Sequence, residues 1–296
     1  PQTTGTTLRS FIKTKGQDDK VAGGLSRLNE EDVSFTLVNN AETHQMVISG
    51  AGDIQVDVLC AKLKSRFGVE TELKPARVAY REKIKGRVEA HGRHKKQSGG
   101  SGQFGDVWIR FEPQDESDDM IFAEEVFGGS VPKNFFPSVE KGLRNSVNKG
   151  VLAGYPLVGL KATLYDGSYH PVDSNDMAFQ TAARLAYQDG IPKAKPTILE
   201  PIGLLQVTIP DANLGDIMSD ISSKRRGTVL GMNAEDGMQT VEAEVPMAEM
   251  SSYTIDLRSM TQGRGSFTCK FIRYEEAPGN VQQKVIEEAK ALAEAE

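Results

Sequence analysis

Hydrophobic residues in the first quarter of the chain switch repeatedly between two periods. Helical spacing begins near Asp18 and again at Asp53, where Val56, Leu59 and Leu63 fall on one face. Short strand-like runs surround these helical stretches, at residues 8–14, 34–38, 45–48 and 69–73. The order is βαββαβ, which predicts a ferredoxin-like sandwich.

The same order returns near the C-terminus. Strand-like runs at 202–209, 228–232, 240–245 and 266–274 alternate with helical stretches around Leu214 and Tyr253. A last stripe of Val285, Ala289 and Leu292 predicts an amphipathic helix that needs a surface to dock on. Two similar small domains therefore flank a different middle one.

The middle stretch combines longer strands with two helices. Strands are predicted at 78–89, 107–111, 121–126 and 157–165, with a turn at 166–168. One helix starts near Pro132 and ends at Gly150, and the other is rich in alanine and capped by Asp173 or Ser174. Prolines predict a boundary at 75 and a linker across 192, 196 and 201. The predicted domains are 1–74, 75–199 and 200–277, followed by a C-terminal helix at 278–296.

Composition indicates the number of domains and the cellular compartment of the protein. The 296 residues are 38% hydrophobic and 26% charged, as in a globular chain of two or three domains. Cys60 and Cys269 lie far apart and form no metal or redox motif, so a reduced, cytoplasmic compartment is expected. No run approaches the ~18 apolar residues that cross a bilayer, so no membrane partner is expected. Pro1 in place of Met suggests a piece of a longer chain.

Charge is unevenly distributed along the chain. The formal net charge of −6 argues against indiscriminate coating of nucleic acid, but residues 81–96 hold seven Lys or Arg against two Glu, an excess of +5. This run enters a glycine-rich loop, which favours a phosphate-backbone contact over a merely solvated face. A second basic pair ends a helix, where it complements the helix dipole or contacts RNA; both interpretations stay open. The candidate RNA-backbone contacts are Arg93, Lys95, Lys96, Arg225 and Arg226.

The glycine-rich loop also matches a nucleotide-binding spacing. Gly100, Gly102, Gly105 and Val107 satisfy the G-x-G-x-x-G-x-V of a protein-kinase phosphate loop. The V-A-I-K, H-R-D and D-F-G partner motifs are missing, however, and a strand rather than a Rossmann-type helix follows the loop. The chain also lacks a P-loop motif. A nucleotide-dependent enzyme is therefore only the third hypothesis.

Two histidine groupings bear on catalysis. Ser168, His170 and Asp173 suggest a hydrolytic triad, but they share one loop and no G-x-S-x-G motif is present. An exposed turn histidine is the simpler interpretation. His91 and His94 have ligand-like spacing, but no further Cys or His is near enough in sequence to complete a zinc site.

Six segments resemble the C-terminal half of bacterial elongation factor G. They are 97–105 (QSGGSGQFG), 150–156 (GVLAGYP), 166–174 (DGSYHPVDS), 225–227 (RRG), 243–246 (AEVP) and 256–264 (DLRSMTQGR). The resemblance extends over nearly the whole chain, in order and in spacing. It implies domains III, IV and V of that family. The fold class is then α+β, with two ferredoxin-like βαββαβ domains flanking a ribosomal-protein-like α+β domain that contains a left-handed βαβ crossover.

The resemblance also implies partners and a site. In the family, two loops at the end of domain IV enter the decoding centre of the small ribosomal subunit and contact tRNA and mRNA. By position these loops are similar to Ser98, Gly99, Gly100, Ser101, Gly102 and Gln103, and to Tyr169, His170, Pro171, Val172 and Asp173. Domain V is implied to meet the GTPase-associated RNA of the large subunit. GTP and Mg²⁺ would bind in an N-terminal domain of the parent, so no catalytic, cofactor or metal site is expected in this chain.

The leading hypothesis is a monomeric fragment of a translational GTPase that promotes translocation of tRNA and mRNA by shape and electrostatics. Lys95, Lys96, Asp106 and Pro171 resemble the paralogous elongation-factor-G-like branch more closely. Ribosome recycling or rescue by such a paralogue is therefore the first alternative. A stand-alone RNA-binding module without a GTPase is the second.

Overall fold

The first domain of the computed structural model is a ferredoxin-like sandwich. Across the chain the structure describes residues 7–13, 18–40, 45–50, 53–74 and 77–295. The elements are β1 (Thr7–Lys13), α1 (Asp18–Glu31), β2 (Thr36–Asn40), β3 (Gln45–Gly50), α2 (Asp53–Phe67) and β4 (Glu72–Lys74). The strands form an antiparallel sheet in the order β2-β3-β1-β4, as the βαββαβ pattern predicts. Leu25, Ile48 and Leu63 share its core. Pro75, where the sequence predicts a domain boundary, lies outside the described residues.

The middle domain has a four-stranded sheet with helices on one face. Its elements are β5 (Arg81–Ile84), β6 (Val88–Lys96), β7 (Gln103–Pro113), β8 (Ile121–Glu124), α3 (Phe136–Ser146), β9 (Leu160–Ser168) and α4 (Asp176–Gly190). The sheet order is β6-β7-β9-β8. All pairs are antiparallel except β8 and β9, which are parallel and joined through α3. These three elements form the βαβ unit of the domain.

Small residues let α4 lie very close to β6 and β7. A Cβ added at Gly92 would lie 1.9 Å from the carbonyl oxygen of Ala182, and one at Gly105 would lie 2.5 Å from that of Ala178. Ala182 and Ala186 are fully buried in the same core as the β7 side chains. The alanine-rich helix therefore packs directly against the backbone of its sheet.

The last domain repeats the strand order of the first. Its elements are β10 (Pro196–Pro210), α5 (Leu214–Ser219), β11 (Thr228–Glu235), β12 (Met238–Pro246), α6 (Tyr253–Thr261) and β13 (Ser266–Glu276). The order β11-β12-β10-β13 matches that of β2-β3-β1-β4 position by position. Helix α5 continues into a π-helical turn, Asp220–Lys224. Val207, Val241 and Tyr253 belong to the core of this last domain.

The C-terminal helix, α7 (Gly279–Ala295), docks beside the start of β10. The Gln282 side-chain amide donates to the Thr197 hydroxyl (2.9 Å), and its amide oxygen accepts from the backbone N–H of Ile198 (3.2 Å). Val285 is buried. These contacts dock the first part of the helix, whereas Leu292 at the far end of the predicted stripe stays exposed.

Several predicted boundaries are wrong. The prolines taken as a linker lie around or within β10, where Pro196 begins the strand and Pro201 falls between the part that pairs with β5 and the part that pairs with β12. Proline is tolerated at such positions because no ladder hydrogen bond is lost there. The predicted turn at 166–168 instead continues β9. The N-cap of α4 is Asn175, whose side chain accepts from the N–H of Ala178 (2.8 Å).

The described residues divide into two compact units. One contains the first domain and Glu200–Glu275, and the other contains Tyr80–Leu199 with the C-terminal segment. In the part of the chain that is described, no helix is long and apolar enough to cross a membrane.

Candidate nucleic-acid interface

Two loops meet at one end of the middle domain. Residues 97–102 connect β6 to β7, and residues 169–175 connect β9 to α4. The backbone N–H of Phe104 donates to the carbonyl oxygen of Asp173 (2.9 Å), and the Ser174 hydroxyl donates to that of Phe104 (2.9 Å). Loops some seventy residues apart in sequence thus form one surface, called the tip below and comprising residues 97–103 and 169–174.

Glycines serve two purposes in the first loop. Gly99 has φ +48° and nothing within 4 Å of an added Cβ, so it allows a left-handed turn in open space. Gly102 allows a close approach, because a Cβ there would lie 2.7 Å from the Asp173 carboxylate. The first glycine shapes the loop, and the second brings it against its neighbour.

His170 organises the second loop through its ring. Its Nδ1 accepts from the backbone N–H groups of Val172 (3.2 Å) and Asp173 (3.0 Å), and its own backbone N–H donates to the Ser174 hydroxyl (2.9 Å). Because Nδ1 accepts, this hydrogen bonding assigns the proton of the neutral ring to Nε2. The side chain is half exposed. Its Nε2–H can therefore donate to a phosphate or ribose oxygen.

Most of the residues that the resemblance places in the tip face solvent. The exposed ones are Ser98, Gly99, Gly100, Ser101, Tyr169, His170, Pro171 and Val172. Gly102, Gln103 and Asp173 are partly buried, since they lie where the loops join. The tip therefore presents a mixed surface of backbone, hydroxyl, imidazole and small apolar groups.

Three cations lie beside the tip without acidic partners. Arg93, Lys95 and Lys96 are exposed, and none takes part in an ion pair within the described ranges. Other cations of the same basic run are paired: Lys83 with Asp115 (2.6 Å), Lys85 with Glu276 (2.8 Å) and Arg87 with Glu89 (3.7 Å). The positive excess read from the sequence is thus concentrated next to the tip.

Arg225, one of the candidate RNA-backbone contacts, is buried in the last domain. The residue is 1% exposed, its Nε donates to Asp220 (2.7 Å) and its Nη1 donates to the carbonyl oxygen of Glu249 (2.7 Å). Nη2 donates to Asp256, and the guanidinium lies 4.6 Å from the Tyr253 ring centroid. No donor is left at the surface, so the prediction of a phosphate contact is wrong for this residue.

Arg226 is also held by carboxylates of its own domain. Its guanidinium donates to both oxygens of Glu200 (3.0 and 2.9 Å), and its Nε donates to Glu249 (3.2 Å). The hydrogen bond to Glu200 raises the pKa of Arg226 above its ordinary value. Two carboxylates neutralise this cation, which favours a structural role over an RNA contact.

The suspected catalytic groupings do not form. The Ser168 hydroxyl donates to Asp106 (2.6 Å) rather than to His170, whose Nδ1 is occupied by backbone donors. His91 contacts Asp106, whereas His94 contacts Gln103 (2.8 Å), so the two imidazoles have separate partners. Gly105, the last glycine of the kinase-like spacing, is buried against α4. Neither histidine grouping therefore brings its suspected members into mutual contact as a triad or a ligand set.

Glu82 is an organising residue that sequence reasoning counted only as an acid in the basic run. Its buried carboxylate accepts from the backbone N–H groups of Leu152 (2.7 Å), Ala153 (3.1 Å) and Tyr155 (2.9 Å). Burial raises the pKa of Glu82, and the backbone donors oppose that shift. The alternation of β5 carried the signal, because Glu82 lies two residues from the buried Ile84, on the inward face.

Models of three consecutive elongation factor G segments match the chain. Elongation factor G domain III matches residues 8–75, domain IV matches 76–195, and the elongation factor G C-terminus matches 197–285. The tip lies entirely in the domain IV match. The chain therefore contains, in order, the C-terminal domains of the elongation factor G family.

Two relatives show the same relationship. An elongation factor G-like protein of Thermotoga maritima is 48% identical over 277 residues, covering 93% of this chain and 40% of that protein. A crystal structure of a protein from Thermus thermophilus superimposes with a TM-score of 0.85 at 39% identity, over 96% of this chain and 42% of that one. The chain spans about two fifths of the length of these relatives. It belongs to the elongation factor G family, and the α+β fold that the resemblance implied is confirmed.

Proposed function

We propose that this chain is the ribosome-contacting part of a translational GTPase that promotes translocation of tRNA and mRNA during elongation. The single observation that carries the proposal is the tip, where hydrogen bonds join two exposed loops beside three unpaired cations. A surface of backbone groups, glycines and a few cations suits RNA, which proteins recognise through shape, phosphates and 2′-hydroxyls. In this proposal the tip enters the decoding centre of the small subunit.

The chemistry of the parent protein is assigned elsewhere in this proposal. GTP and Mg²⁺ bind in an N-terminal GTPase domain, while the residues of this chain make and break no bond. The last domain lies near the GTPase-associated RNA of the large subunit. The protein works in the cytoplasm as a monomer, with ribosome, tRNA and mRNA as partners.

A second candidate function is ribosome recycling or rescue by a paralogue. It is favoured by the Thermotoga maritima relative, which is named as elongation factor G-like rather than as the elongation factor itself. Both functions need the same tip, so the geometry supports each. A translocation assay of the full-length parent on programmed ribosomes separates them.

The test of the tip is His170→Ala in the full-length parent. Loss of the ring removes an outward donor and two acceptor contacts within the loop, so translocation should slow roughly tenfold, about 1.4 kcal/mol in the barrier. Ribosome-dependent GTP hydrolysis should stay nearly intact. Both are measured by rapid mixing, with Glu288→Ala on the exposed face of α7 as control.

His170→Asn separates the two contributions of the ring. Its amide oxygen can replace Nδ1 as an acceptor, but it provides no ring. If translocation by the His170→Asn variant stays slow, the outward donor of the His170 ring makes the contact with RNA, and the Nδ1 acceptor alone does not account for the loss. An equal loss of translocation and of GTP hydrolysis in His170→Ala would contradict the assignment of His170 to the tip.

A further inference from the structure

The sheet of the middle domain has one face that its helices do not cover. Gly92 and Gly105 point toward α4, so the alternate residues of β6 and β7 point the other way. This open face is defined here by His91, Arg93 and Lys95 of β6, Phe104, Asp106, Trp108 and Arg110 of β7, and Tyr165 and Ser168 of β9. Cross-strand pairing places His91 opposite Trp108, Arg93 opposite Asp106 and Lys95 opposite Phe104.

Aromatic rings lie in the part of the open face nearest the tip. The His91 ring stacks on Trp108, with centroids 4.4 Å apart and planes 8° from parallel. The Arg93 guanidinium lies 5.5 Å from the Phe104 ring centroid. Trp108 is 37% exposed, and tryptophan, with its apolar body and polar N–H, is a residue type enriched at interfaces. This half of the face therefore offers stacked rings to solvent.

The two halves of the open face also differ in whether their cations are paired with acids. Away from the tip, Arg110 is neutralised by Glu125 (3.1 Å) and Glu89 (3.7 Å) while it lies over the Tyr165 ring. Toward the tip, Arg93 and Lys95 have no acidic partner in the described ranges. Asp166 of β9 lies opposite Trp108, and the acid opposite Arg93 is Asp106.

That acid is itself engaged. Asp106 contacts His91 with one carboxylate oxygen and accepts the Ser168 hydroxyl with the other (2.6 Å). Both oxygens have donors within the face, so neither needs Arg93 or Lys95. The two cations thus remain available for an anion from outside.

We propose that the tip half of the open face binds single-stranded RNA, with a base adding to the His91–Trp108 stack and phosphates meeting Arg93 and Lys95. The inference rests on the proposed ribosomal function, to which it adds a second RNA contact beside the tip. Aromatic rings interleaved with unpaired cations are what unstacked bases on a phosphate backbone require. Duplex RNA fits less well, because its bases are already stacked on one another.

Trp108 is the only tryptophan of the chain, so its fluorescence reports this site directly. The chain is titrated with a fluorescently labelled oligouridylate of about ten nucleotides, within the usual size of a single-strand site. Labelled-RNA anisotropy measures binding, and Trp108 emission measures stacking. Saturable binding with quenched Trp108 emission is expected.

Variants separate stacking from charge. Trp108→Leu should weaken binding roughly tenfold, the loss of one stacked base. Arg93→Gln keeps the fluorophore and should lower the slope of log K against log salt by about 0.7, the value for one single-strand phosphate contact. Phe271→Leu and Arg258→Gln, exposed residues of the last domain, are the matched controls and should bind like the unmodified chain.

Three results would overturn the proposal: no binding or no quenching, equal weakening by the control variants, or equally tight binding of the oligouridylate–oligoadenylate duplex. Quenching of Trp108 by polyglutamate would point instead to a protein partner. The oligonucleotide titration of this chain tests the open face, whereas the translocation assay of His170→Ala in the full-length parent tests the tip. Failure of the open face and failure of the tip are thus distinguishable.

Discussion

A guanidinium removed from water needs acceptors on every side, and Arg225 has them. Its partners are the carboxylates of Asp220 and Asp256 and the carbonyl oxygen of Glu249. Arg225→Met keeps much of the volume but leaves the Asp220 carboxylate, 8% exposed, without its cation. Removing one partner of a buried ion pair costs about 3–5 kcal/mol. Urea unfolding, with hydrogen exchange of β10–β13 as the local probe, should show that loss in the last domain.

The neighbouring Lys224→Met is the matched control. Lys224 is 61% exposed, and its ion pair with Asp256 (3.1 Å) is a surface one, so its loss should cost less than about 1 kcal/mol. Equal stability of the two variants would contradict a structural role for Arg225. Burial raises the pKa of Asp256, but hydrogen bonds from Ser252, Arg225 and Lys224 outweigh it and hold the pKa below its ordinary value. The difference in unfolding free energy between the unmodified chain and Arg225→Met should therefore become smaller in acid. The contribution of the Arg225–Asp256 pair is lost as the pH falls through the lowered pKa of Asp256.

Residue type alone could not separate Arg225 from Arg93. Both are arginines in short basic runs. Arg225 differs because folding brings two acids, Asp220 and Asp256, against its guanidinium. The resemblance located His170 in the tip, but its pairing with the 97–102 loop depends on backbone groups, such as the N–H of Phe104. Backbone contacts leave no trace in residue type, so spacing could not predict them.

At the scale of elements, the contact between α4 and β6 depends on one missing methyl group. A Cβ at Gly92 would lie 1.9 Å from the Ala182 oxygen and 2.6 Å from the Ala186 nitrogen, both backbone atoms of the helix. Gly92→Ala must therefore push the helix off the sheet, at a cost of about 3 kcal/mol or more. Trp108 fluorescence follows unfolding of this domain in urea and should show a lower midpoint.

Gly215→Ala on α5 controls for the substitution itself. An added Cβ there meets nothing within 4 Å, and alanine favours a helix over glycine by about 0.5–1 kcal/mol. The Trp108 transition should not move in this variant. An unchanged midpoint in Gly92→Ala would mean that α4 is free to shift.

Gly92 and Gly105 also explain why the hairpin was predicted too short. The sequence predicts strands that end at residue 89 and begin again at 107, whereas β6 runs to Lys96 and β7 starts at Gln103. Two inward positions of the extra pairs, Gly92 and Gly105, are glycines because α4 is so close. The other inward residues near the loop are polar (His94, Lys96 and Gln103), and the outward ones are polar or charged except for Phe104. The alternation of apolar and polar residues therefore disappears where these two strands continue, and the sequence pattern could not predict their full length. The helices and sheets of both ferredoxin-like domains keep their apolar periodicity and were predictable from it.

At the scale of the whole molecule, an acidic chain presents three cations without ion pairs next to the tip, Arg93, Lys95 and Lys96. Association with RNA through Lys95 and Lys96 releases counterions, so the affinity for ribosomes should fall with salt. Lys95→Glu with Lys96→Glu in the full-length parent should weaken association and flatten that dependence by about 0.7–0.9 in the slope of log K against log salt for each lost contact. Sedimentation with ribosomes at several salt concentrations measures both.

Net charge alone must be excluded as the cause. Each Lys→Glu change lowers the formal charge by 2, so the double variant lowers it by 4, and so does Lys284→Glu with Lys290→Glu on the exposed face of α7. If the tip cations contact phosphates, only the first pair changes the slope, since counterion release counts local contacts. A general repulsion from ribosomal RNA acts on both variants alike, because it depends on total charge within the Debye length. Identical slopes in the two variants would therefore remove Lys95 and Lys96 from the interface.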